Sequence, residues 1–190
     1  MPSPAPRISA IVLAAGESKR FGPPNKLLTD WNGKPLIRSV VETVLSAGPT
    51  ETIVVTGHDK GRIEEALAGL PVRLAHNERF ERGMGASIAV GVESADPDAE
   101  GLWIVLGDMP RLARDTLARV LQAFEGPDSI IVPQSGDREG NPVLFGSAYR
   151  SELAALDGNL GARSVVEAHR ERTRFVEVEE AQLEDLDEPS

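Results

Sequence analysis

The sequence predicts an α/β fold with a mostly parallel β-sheet that is covered by helices on both faces. Short apolar runs alternate along the chain with segments whose apolar residues recur every three or four positions. Several of the runs are almost continuously apolar, which is typical of strands buried on both faces. Polar or glycine-rich segments follow three of them directly. We therefore expect right-handed crossovers and a ligand site beyond the carboxyl ends of the strands.

The first half of the chain begins with a predicted buried strand at residues 8–13. Asn32 and Gly33 favour a hairpin turn that leads into an amphipathic helix. In that helix apolar residues recur from Leu36 to Leu45, and Gly48 with Pro49 ends it. The next predicted elements are a strand at 52–56, a helix at 62–70, a strand at 72–75 and a helix at 86–92.

The second half continues the alternation of strands and helices. The predicted elements are a strand at 102–106, a helix at 115–124, strands at 129–132 and 143–145, helices at 148–156 and 161–169, and a strand at 174–178. A chain of 190 residues has the length of one α/β domain. We expect a disordered lead-in at residues 1–6 and one domain at 7–190.

Composition excludes several classes of function. The formal net charge of −10 argues against broad nucleic-acid binding, which requires a basic surface. The chain has no Cys, so thiolate nucleophiles and Cys-based metal sites are excluded. His58, His76 and His169 lack the spacing of metal ligands. No apolar run approaches the roughly 20 residues of a membrane span, and we expect a soluble, cytoplasmic protein.

The segment LAAGESKRFGPPNK follows the first predicted strand and suggests an anion-binding loop. Ala14, Ala15 and Gly16 leave room for a ligand to approach the backbone, whose N–H groups can bind an anion. Arg20 and Lys26 add positive charge for phosphate. The prolines after Gly22 exclude a Walker A loop. A plain basic turn remains the alternative.

Asp108 lies one residue beyond the predicted strand at 102–106, within Gly-Asp-Met-Pro. A carboxylate in this place suits Mg²⁺, which takes one or two carboxylates together with substrate oxygens. The alternatives are an Asp in a turn or an Asp that caps the following helix.

Two further segments leave their interpretation open. Gly83-Met84-Gly85-Ala86-Ser87 suggests close approach of backbone to a ligand at a helix start, but Ile88 stands where a dinucleotide-binding motif needs glycine. Ser87 is alternatively a helix cap. The acidic C-terminus is either a solvated tail or a segment that returns Asp185 or Asp187 to the site as a second metal ligand.

Five segments occur together in an order that resembles one family. They are LAAGESKRFGPPNKLL, GMGASIAVGV, VLGDMP, GNPVLF and DLDEP. In this they resemble the MobA-like nucleotidyltransferases, and within that family the molybdenum cofactor cytidylyltransferases. The resemblance covers residues 8–189. It implies a single-domain Rossmann-like nucleotidyltransferase fold and transfer of NMP from an NTP to a phosphorylated acceptor, with release of pyrophosphate.

The resemblance also implies roles for individual residues. Leu13, Ala14, Ala15 and Gly16 would line the nucleotide. Its phosphates would be contacted by Arg20 and Lys26, which with Asp108 are the implied catalytic residues. The residues implied near the base and ribose are Gly83, Met84 and Ser87. Mg²⁺, the implied cofactor, would be held by Asp108 and Asp187, and Asn141 would lie near the acceptor.

Substrate choice follows from details of the same segments. LAAG and GMGAS look like the cytidylyl branch, whereas guanylyl enzymes more often carry LAGG, so we favour CTP over GTP. Gly-Asn-Pro at 140–142 departs from the usual Gly-His-Pro of the cytidylyltransferases, which weakens the assignment of molybdenum cofactor as acceptor. A molybdenum hydroxylase is a further candidate partner. The alternatives are another phosphorylated acceptor, a nicotinamide-dependent oxidoreductase suggested by Gly83-Met84-Gly85, and a non-catalytic nucleotide-binding accessory protein.

Overall fold

The computed structural model describes residues 5–18 and 25–186, so residues 1–4 of the expected lead-in lie outside it. The strands in chain order are β1 (Ile8–Ala14), β2 (Asp30–Trp31), β3 (Lys34–Pro35), β4 (Glu51–Thr56), β5 (Arg73–His76), β6 (Gly101–Leu106), β7 (Ile130–Ser135), β8 (Arg138–Glu139), β9 (Val143–Gly146) and β10 (Thr173–Glu177). The α-helices are α1 (Leu36–Ser46), α2 (Lys60–Ala66), α3 (Met84–Ser94), α4 (Arg114–Gln122), α5 (Arg150–Ala154) and α6 (Arg163–Ala168).

The main sheet has the strand order β10-β7-β9-β6-β1-β4-β5, with β8 paired to β7. β1 pairs in parallel with β4 on one side and with β6 on the other. β9 runs antiparallel to both β6 and β7, while β10 pairs in parallel with β7. The prediction of a mostly parallel sheet is therefore confirmed. Strand order reverses between β1 and β6, which is where a ligand is expected in such a fold.

Helices cover both faces of the sheet, as predicted. Alternate residues of β1 point to opposite faces, so Val12 and Ile11 enter two different apolar clusters. The helix residues packed with Val12 include Ile37 and Val41 of α1, Ile63 of α2 and Leu117 of α4. Those packed with Ile11 include Ile88 of α3, Leu153 of α5 and Val166 of α6. Two apolar layers thus hold a central sheet that is buried on both sides.

The predicted hairpin at Asn32 and Gly33 is confirmed, because β2 and β3 pair antiparallel around these two residues. Both residues have positive φ angles, 55° and 85°, as a two-residue hairpin turn of this kind requires. The turn directs the chain into α1, which begins at Leu36.

Three of the predicted helices are shorter in the structure than predicted. α2 ends at Ala66, four residues before the predicted end, and the chain turns through Gly69 with φ +81°. The predicted helix at 148–156 is a 3₁₀ turn, Ser147–Tyr149, followed by the short α5. The predicted helix at 161–169 is reduced to α6. Glycine and 3₁₀ geometry shorten these helices at positions where apolar periodicity continues.

The polar segment after the predicted strand at 129–132 is not a loop throughout. β7 continues to Ser135, turns at Gly136 with φ +57°, and pairs with β8. β10 lies beside this extension, with Val176 opposite Pro133. Pairing with a strand distant in sequence thus stabilises a polar extension that local hydrophobicity does not predict. Within the described residues, no helix is both long and apolar enough to cross a membrane.

Candidate functional site

A cleft of about 470 Å³ opens at the carboxyl ends of β1 and β6. Its lining includes Leu13, Ala15, Gly16, Ser18, Lys26, Phe80, Gly83, Met84, Ser87, Asp108, Asn159 and Asp185. Gly16 follows β1 and Asp108 follows β6, so the cleft lies where a ligand site was expected, beyond the carboxyl ends of these strands.

The loop after β1 provides one wall of the cleft. Leu13, Ala15 and Gly16 line it, whereas Ala14 ends the strand with its methyl group in the core. A Cβ atom built on Gly16 has no atom within 4 Å, so this position faces open space. The wall is therefore accessible to a ligand at Gly16. Arg20, the other predicted phosphate contact of this loop, lies outside the described residues.

Lys26 and Asp108 form an ion pair inside the cleft. The Lys26 Nζ lies 2.5 Å from an Asp108 carboxylate oxygen, and the two side chains are 21% and 16% exposed. The same ammonium donates a hydrogen bond to the Leu186 carbonyl oxygen at 3.1 Å. Phosphate-binding and metal-binding residue types, predicted on different loops, thus lie side by side.

Asn25 positions Lys26 and is missing from the residues predicted from sequence. Its buried side-chain oxygen accepts hydrogen bonds from the Leu27 N–H at 3.1 Å and from the Ser18 hydroxyl at 2.9 Å. Its amide nitrogen donates to Asp59 at 3.2 Å. It caps the 3₁₀ helix Lys26–Leu28, so an Asn one position before Lys26-Leu27-Leu28 was the available signal.

Gly107 brings the loops after β1 and β6 together. Its N–H donates to the Leu13 carbonyl oxygen at 3.0 Å, and a Cβ atom on Gly107 would lie 2.6 Å from that oxygen. Only glycine allows this approach, which places Asp108 beside the first loop. Asp108 is not a helix cap, because α4 begins at Arg114 with Ala113 in the cap position.

The C-terminal segment returns to the cleft. Asp185 lines the cleft, and the Leu186 N–H donates to the Asp108 carbonyl oxygen at 2.8 Å. Leu183 is buried, and its side chain lies against Gly140. The interpretation as a solvated tail is therefore wrong for this part of the chain. Asp187, the predicted second metal ligand, lies outside the described residues.

The cleft offers hard oxygen donors of the kind that Mg²⁺ takes. Asp108 and Asp185 both line it, and a site for Mg²⁺ needs only one or two carboxylates when substrate phosphates supply the other ligands. A cluster of three or more acidic or histidine side chains is not found among the residues described. The arrangement fits a metal that binds together with a nucleotide.

Gly83 and Gly85 approach another protein loop closely, whereas the sequence suggested close approach to a ligand. A Cβ atom on Gly83 would lie 2.4 Å from the Gly158 carbonyl oxygen, and one on Gly85 would lie 2.7 Å from the Asp157 nitrogen. The Gly85 N–H also donates to the Gly158 oxygen at 3.0 Å. Packing of a protein loop explains why both residues are glycine, and the proposal that the glycines admit a ligand is not needed. Gly83 and its neighbour Met84 nevertheless line the cleft.

Ser87 is not the cap of α3, which begins at Met84 with Gly83 in the cap position. Ser87 lies in the first turn of the helix and is 5% exposed. Its hydroxyl accepts a hydrogen bond from the Asn77 amide at 3.0 Å. Ser87 lines the cleft, but it does so from within the first turn of α3 and not from the cap position.

Sequence reasoning missed two further parts of the lining. Asn159 lies in the loop that packs over the glycine turn, and an ion pair between Asp157 and Arg82 holds that loop. Phe80 packs beside the His58 ring, with ring centroids 5.9 Å apart. The turn-rich composition of 157–161 was a signal for a loop, but its contact with α3 depends on the tertiary fold.

Asn141 lies outside the cleft lining, between β8 and β9. Glu139, two residues before it, pairs with Arg170 at 2.5 Å. The hydrogen bond from Arg170 holds the pKa of the Glu139 carboxyl below its usual value, against the opposing effect of burial. Asn141 is therefore not part of the nucleotide-sized cleft, and its place near the acceptor stays a prediction.

Comparison with known proteins identifies the family. A family model described as a MobA-like NTP transferase domain matches residues 10–173. Nicotine blue oxidoreductase of Paenarthrobacter nicotinovorans is 29% identical over 165 residues, covering 83% of this chain and 80% of that protein. The bifunctional protein GlmU of Sorangium cellulosum is 27% identical over 178 residues, which cover 90% of this chain but only 37% of GlmU.

Solved structures show the same architecture. A nucleotidyl transferase from Methanothermobacter thermautotroptrophicus superposes with a TM-score of 0.85 and 30% identity, covering 96% of this chain and 92% of that one. Rv0371c of Mycobacterium tuberculosis in complex with manganese gives a TM-score of 0.76 and 27% identity, with 90% and 88% covered. The fold is thus the Rossmann-like fold of nucleotidyltransferases, and the chain belongs to the MobA-like NTP transferase family.

Proposed function

We propose that this nucleotidyltransferase moves CMP from CTP to the terminal phosphate of molybdenum cofactor and releases pyrophosphate. The observation that carries the proposal is the contact between Lys26 and Asp108 inside a cleft of nucleotide size. A cation for phosphate and a carboxylate for a metal lie together there, as phosphoryl transfer requires. Membership of the family supports the reaction class, and the LAAG and GMGAS motifs support CTP.

Lys26 is arranged to bind a phosphate oxygen of the nucleotide. An ammonium has three N–H donors. Two of them meet Asp108 and the Leu186 carbonyl in the described structure. Within residues 5–18 and 25–186 no third acceptor meets this ammonium, and the side chain lines the cleft, so we expect the third donor to meet substrate. We expect Lys26 to stabilise negative charge on the triphosphate and, from the resemblance, Arg20 to assist it.

The transfer itself needs no nucleophilic side chain. An oxygen of the acceptor phosphate attacks the α-phosphorus, and the bond from that phosphorus to the bridging oxygen breaks. Pyrophosphate leaves with the electron pair of the broken bond. Positioning and electrostatic stabilisation provide the catalysis in reactions of this kind. A chain without Cys is suited to this chemistry.

A divalent metal is part of the proposal. Asp108, with Asp185 and Asp187 as further candidates, would hold Mg²⁺, which neutralises charge on phosphate oxygens. The structure of Rv0371c in complex with manganese supports the proposal that proteins of this fold bind a divalent metal. We expect a chelator to abolish turnover and Mg²⁺ or Mn²⁺ to restore it.

The decisive experiment is a panel of four NTPs with purified molybdenum cofactor, followed by pyrophosphate release. We expect release with CTP, less with GTP, and none without the cofactor. The Asp108→Asn variant is the control for contaminating activity. If pyrophosphate is released from CTP only with a different phosphorylated acceptor, the proposed reaction type holds and molybdenum cofactor is rejected as the acceptor. A clear preference for GTP would contradict the nucleotide assignment.

An oxidoreductase is the second candidate, favoured by the name of the relative nicotine blue oxidoreductase. The glycine turn does not support a dinucleotide site, because Asp157 and Gly158 fill the space beside Gly83 and Gly85. Fluorescence titrations with NADH and with CTP separate the two functions. Tight binding of NADH without binding of CTP would favour the oxidoreductase.

A further inference from the structure

Asn77 is a buried polar residue that the proposed mechanism does not use. It follows β5 directly and is 1% exposed. Its backbone N–H donates to the Thr56 carbonyl oxygen at 2.8 Å, which continues the pairing of β5 with β4 by one residue. The sheet therefore fixes the position of the Asn77 backbone, and the side chain needs a separate explanation.

The orientation of the Asn77 amide is determined by its neighbours. The backbone N–H of Arg79 lies 2.9 Å from the side-chain oxygen, and a donor can be met only by that oxygen. The NH₂ group must then point the other way, where it donates to the Ser87 hydroxyl oxygen at 3.0 Å. A backbone donor thus sets the direction of both hydrogen bonds.

The hydrogen bond from Asn77 also determines where the Ser87 hydroxyl hydrogen can point. The hydroxyl oxygen accepts from Asn77, so its own hydrogen has to find a different acceptor. Within residues 5–18 and 25–186 no hydrogen bond is donated by this hydroxyl, including to the helix backbone of the preceding turn. Ser87 lines the cleft, so the open direction for its hydrogen is toward a ligand.

We propose that Asn77 is a positioning residue that orients the Ser87 hydroxyl as a hydrogen-bond donor to an acceptor oxygen in the nucleoside part of the bound nucleotide. The inference rests on the proposed nucleotide-binding function. It adds that Ser87 is the donor, and the nucleoside oxygen the acceptor, in one hydrogen bond. A ring carbonyl of the base and an oxygen of the ribose share the required acceptor chemistry.

Asn77→Asp tests the direction of the hydrogen bond between residues 77 and 87 with almost no change in side-chain shape. An ionised carboxylate can only accept hydrogen bonds, so it would keep the bond from Arg79 and accept the Ser87 hydroxyl, which would no longer donate to the ligand. A protonated carboxyl has an O–H donor in place of the amide and restores the original arrangement. Burial raises the pKa of the introduced carboxyl and brings its titration toward the accessible pH range.

The measurement is the Kd of CTP with Mg²⁺, by calorimetry, as a function of pH. We expect Asn77→Asp to bind about tenfold more weakly than wild type at high pH, the effect of one lost hydrogen bond. The deficit should shrink as the pH falls. The ionisable neighbours His76, Glu78 and Arg79 are all exposed, and wild-type protein measured at each pH removes their contribution. A deficit of constant size at all pH values would indicate a structural defect and overturn the proposal.

Ser87→Ala completes a double-mutant cycle. This variant should show the same loss of about tenfold without the pH-dependent recovery. Adding Asn77→Asp to it should change the Kd no further, because Asn77 acts through Ser87. Losses that multiply in the double variant would show that Asn77 acts independently, which contradicts the inference.

Nucleotide analogues provide a test that does not require Asn77→Asp to fold. Wild type should bind either 2-thio-CTP or 2′-deoxy-CTP about tenfold more weakly than CTP, which distinguishes a base carbonyl from a ribose oxygen. Ser87→Ala should not discriminate that analogue from CTP. Equal discrimination by the two proteins would overturn the proposal. A wild-type protein that binds none of the four NTPs would instead reject the proposed function itself.

Discussion

The Nζ atom of Lys26 lies 2.5 Å from a carboxylate oxygen of Asp108, at the point where strand order in the sheet reverses. The two residues follow neighbouring strands, β1 and β6, that are separated by several other elements in the chain. The Leu186 carbonyl oxygen accepts from the same ammonium, and the Leu186 N–H donates to the Asp108 backbone. Three distant segments therefore meet at one pair of opposite charges.

Asp108→Asn should abolish catalysis and leave the fold intact. We expect pyrophosphate release to fall by at least about a hundredfold, because a carboxylate that stabilises charge in the reaction is lost. The melting temperature should change little, because the asparagine side-chain oxygen can still accept a hydrogen bond from Lys26, whose ammonium lines the open cleft. Asp115→Asn is the matched control, since Asp115 forms an exposed ion pair with Arg119 on α4. Full activity of Asp108→Asn would reject the metal assignment.

Gly85→Ala and Gly16→Ala should separate stability from binding. A Cβ atom on Gly85 meets backbone atoms of Asp157 within 3 Å, which cannot move without moving the loop. We expect destabilisation of about 1–3 kcal/mol, measured by chemical unfolding. A Cβ atom on Gly16 has open space, so Gly16→Ala should fold normally. Because Gly16 lines the cleft, the added methyl group should occupy space there and weaken binding of CTP. Equal stability of the two variants would show that the loop at 157–158 adapts.

Leu183→Ala should loosen the C-terminal segment. Leu183 is 6% exposed and packs against Gly140, two residues before Pro142. Truncating a buried leucine costs about 2–5 kcal/mol, and here it also frees the segment that carries Asp185. We expect a lower melting temperature and a higher Mg²⁺ requirement for pyrophosphate release. Leu74→Ala, on an edge strand and 41% exposed, is the control and should affect neither.

Glu139→Gln should change how stability depends on pH. The Arg170 guanidinium lowers the pKa of the Glu139 carboxyl from its usual 4.5, so the ionised group stabilises the folded state. This contribution is complete above the unfolded-state pKa and is lost as the pH falls through the lower folded-state pKa. The stability difference between wild type and variant should therefore be largest above about pH 4.5 and shrink in more acidic solution. Urea unfolding over this range measures it, and a difference that grows with acidity would contradict the assigned pair.

Residue pattern alone identified much of the sheet and several residues of the cleft. β1 and β6 are apolar runs, and the small, basic and acidic residues that follow them are local features of the sequence. Strand ends in a parallel sheet meet at one edge, so Lys26 and Asp108 were expected near each other before any contact was known. The order of the motifs indicated the family, and the residues of LAAG and GMGAS favoured CTP over GTP, which stays a prediction.

Other parts of the site depended on contacts between distant segments. The glycines at 83 and 85 are required by the loop at 157–158, and the polarity of Ser87 is set by Asn77. β7 continues beside β10, a strand distant in sequence, and β8 pairs with the end of this extension. The chemical type of a residue limits what it can bind. Which partner it meets depends on which segments the packed core brings into contact. The sequence by itself therefore determined the chemistry available at the strand ends, and only the tertiary structure decided which neighbour gives each side chain its orientation.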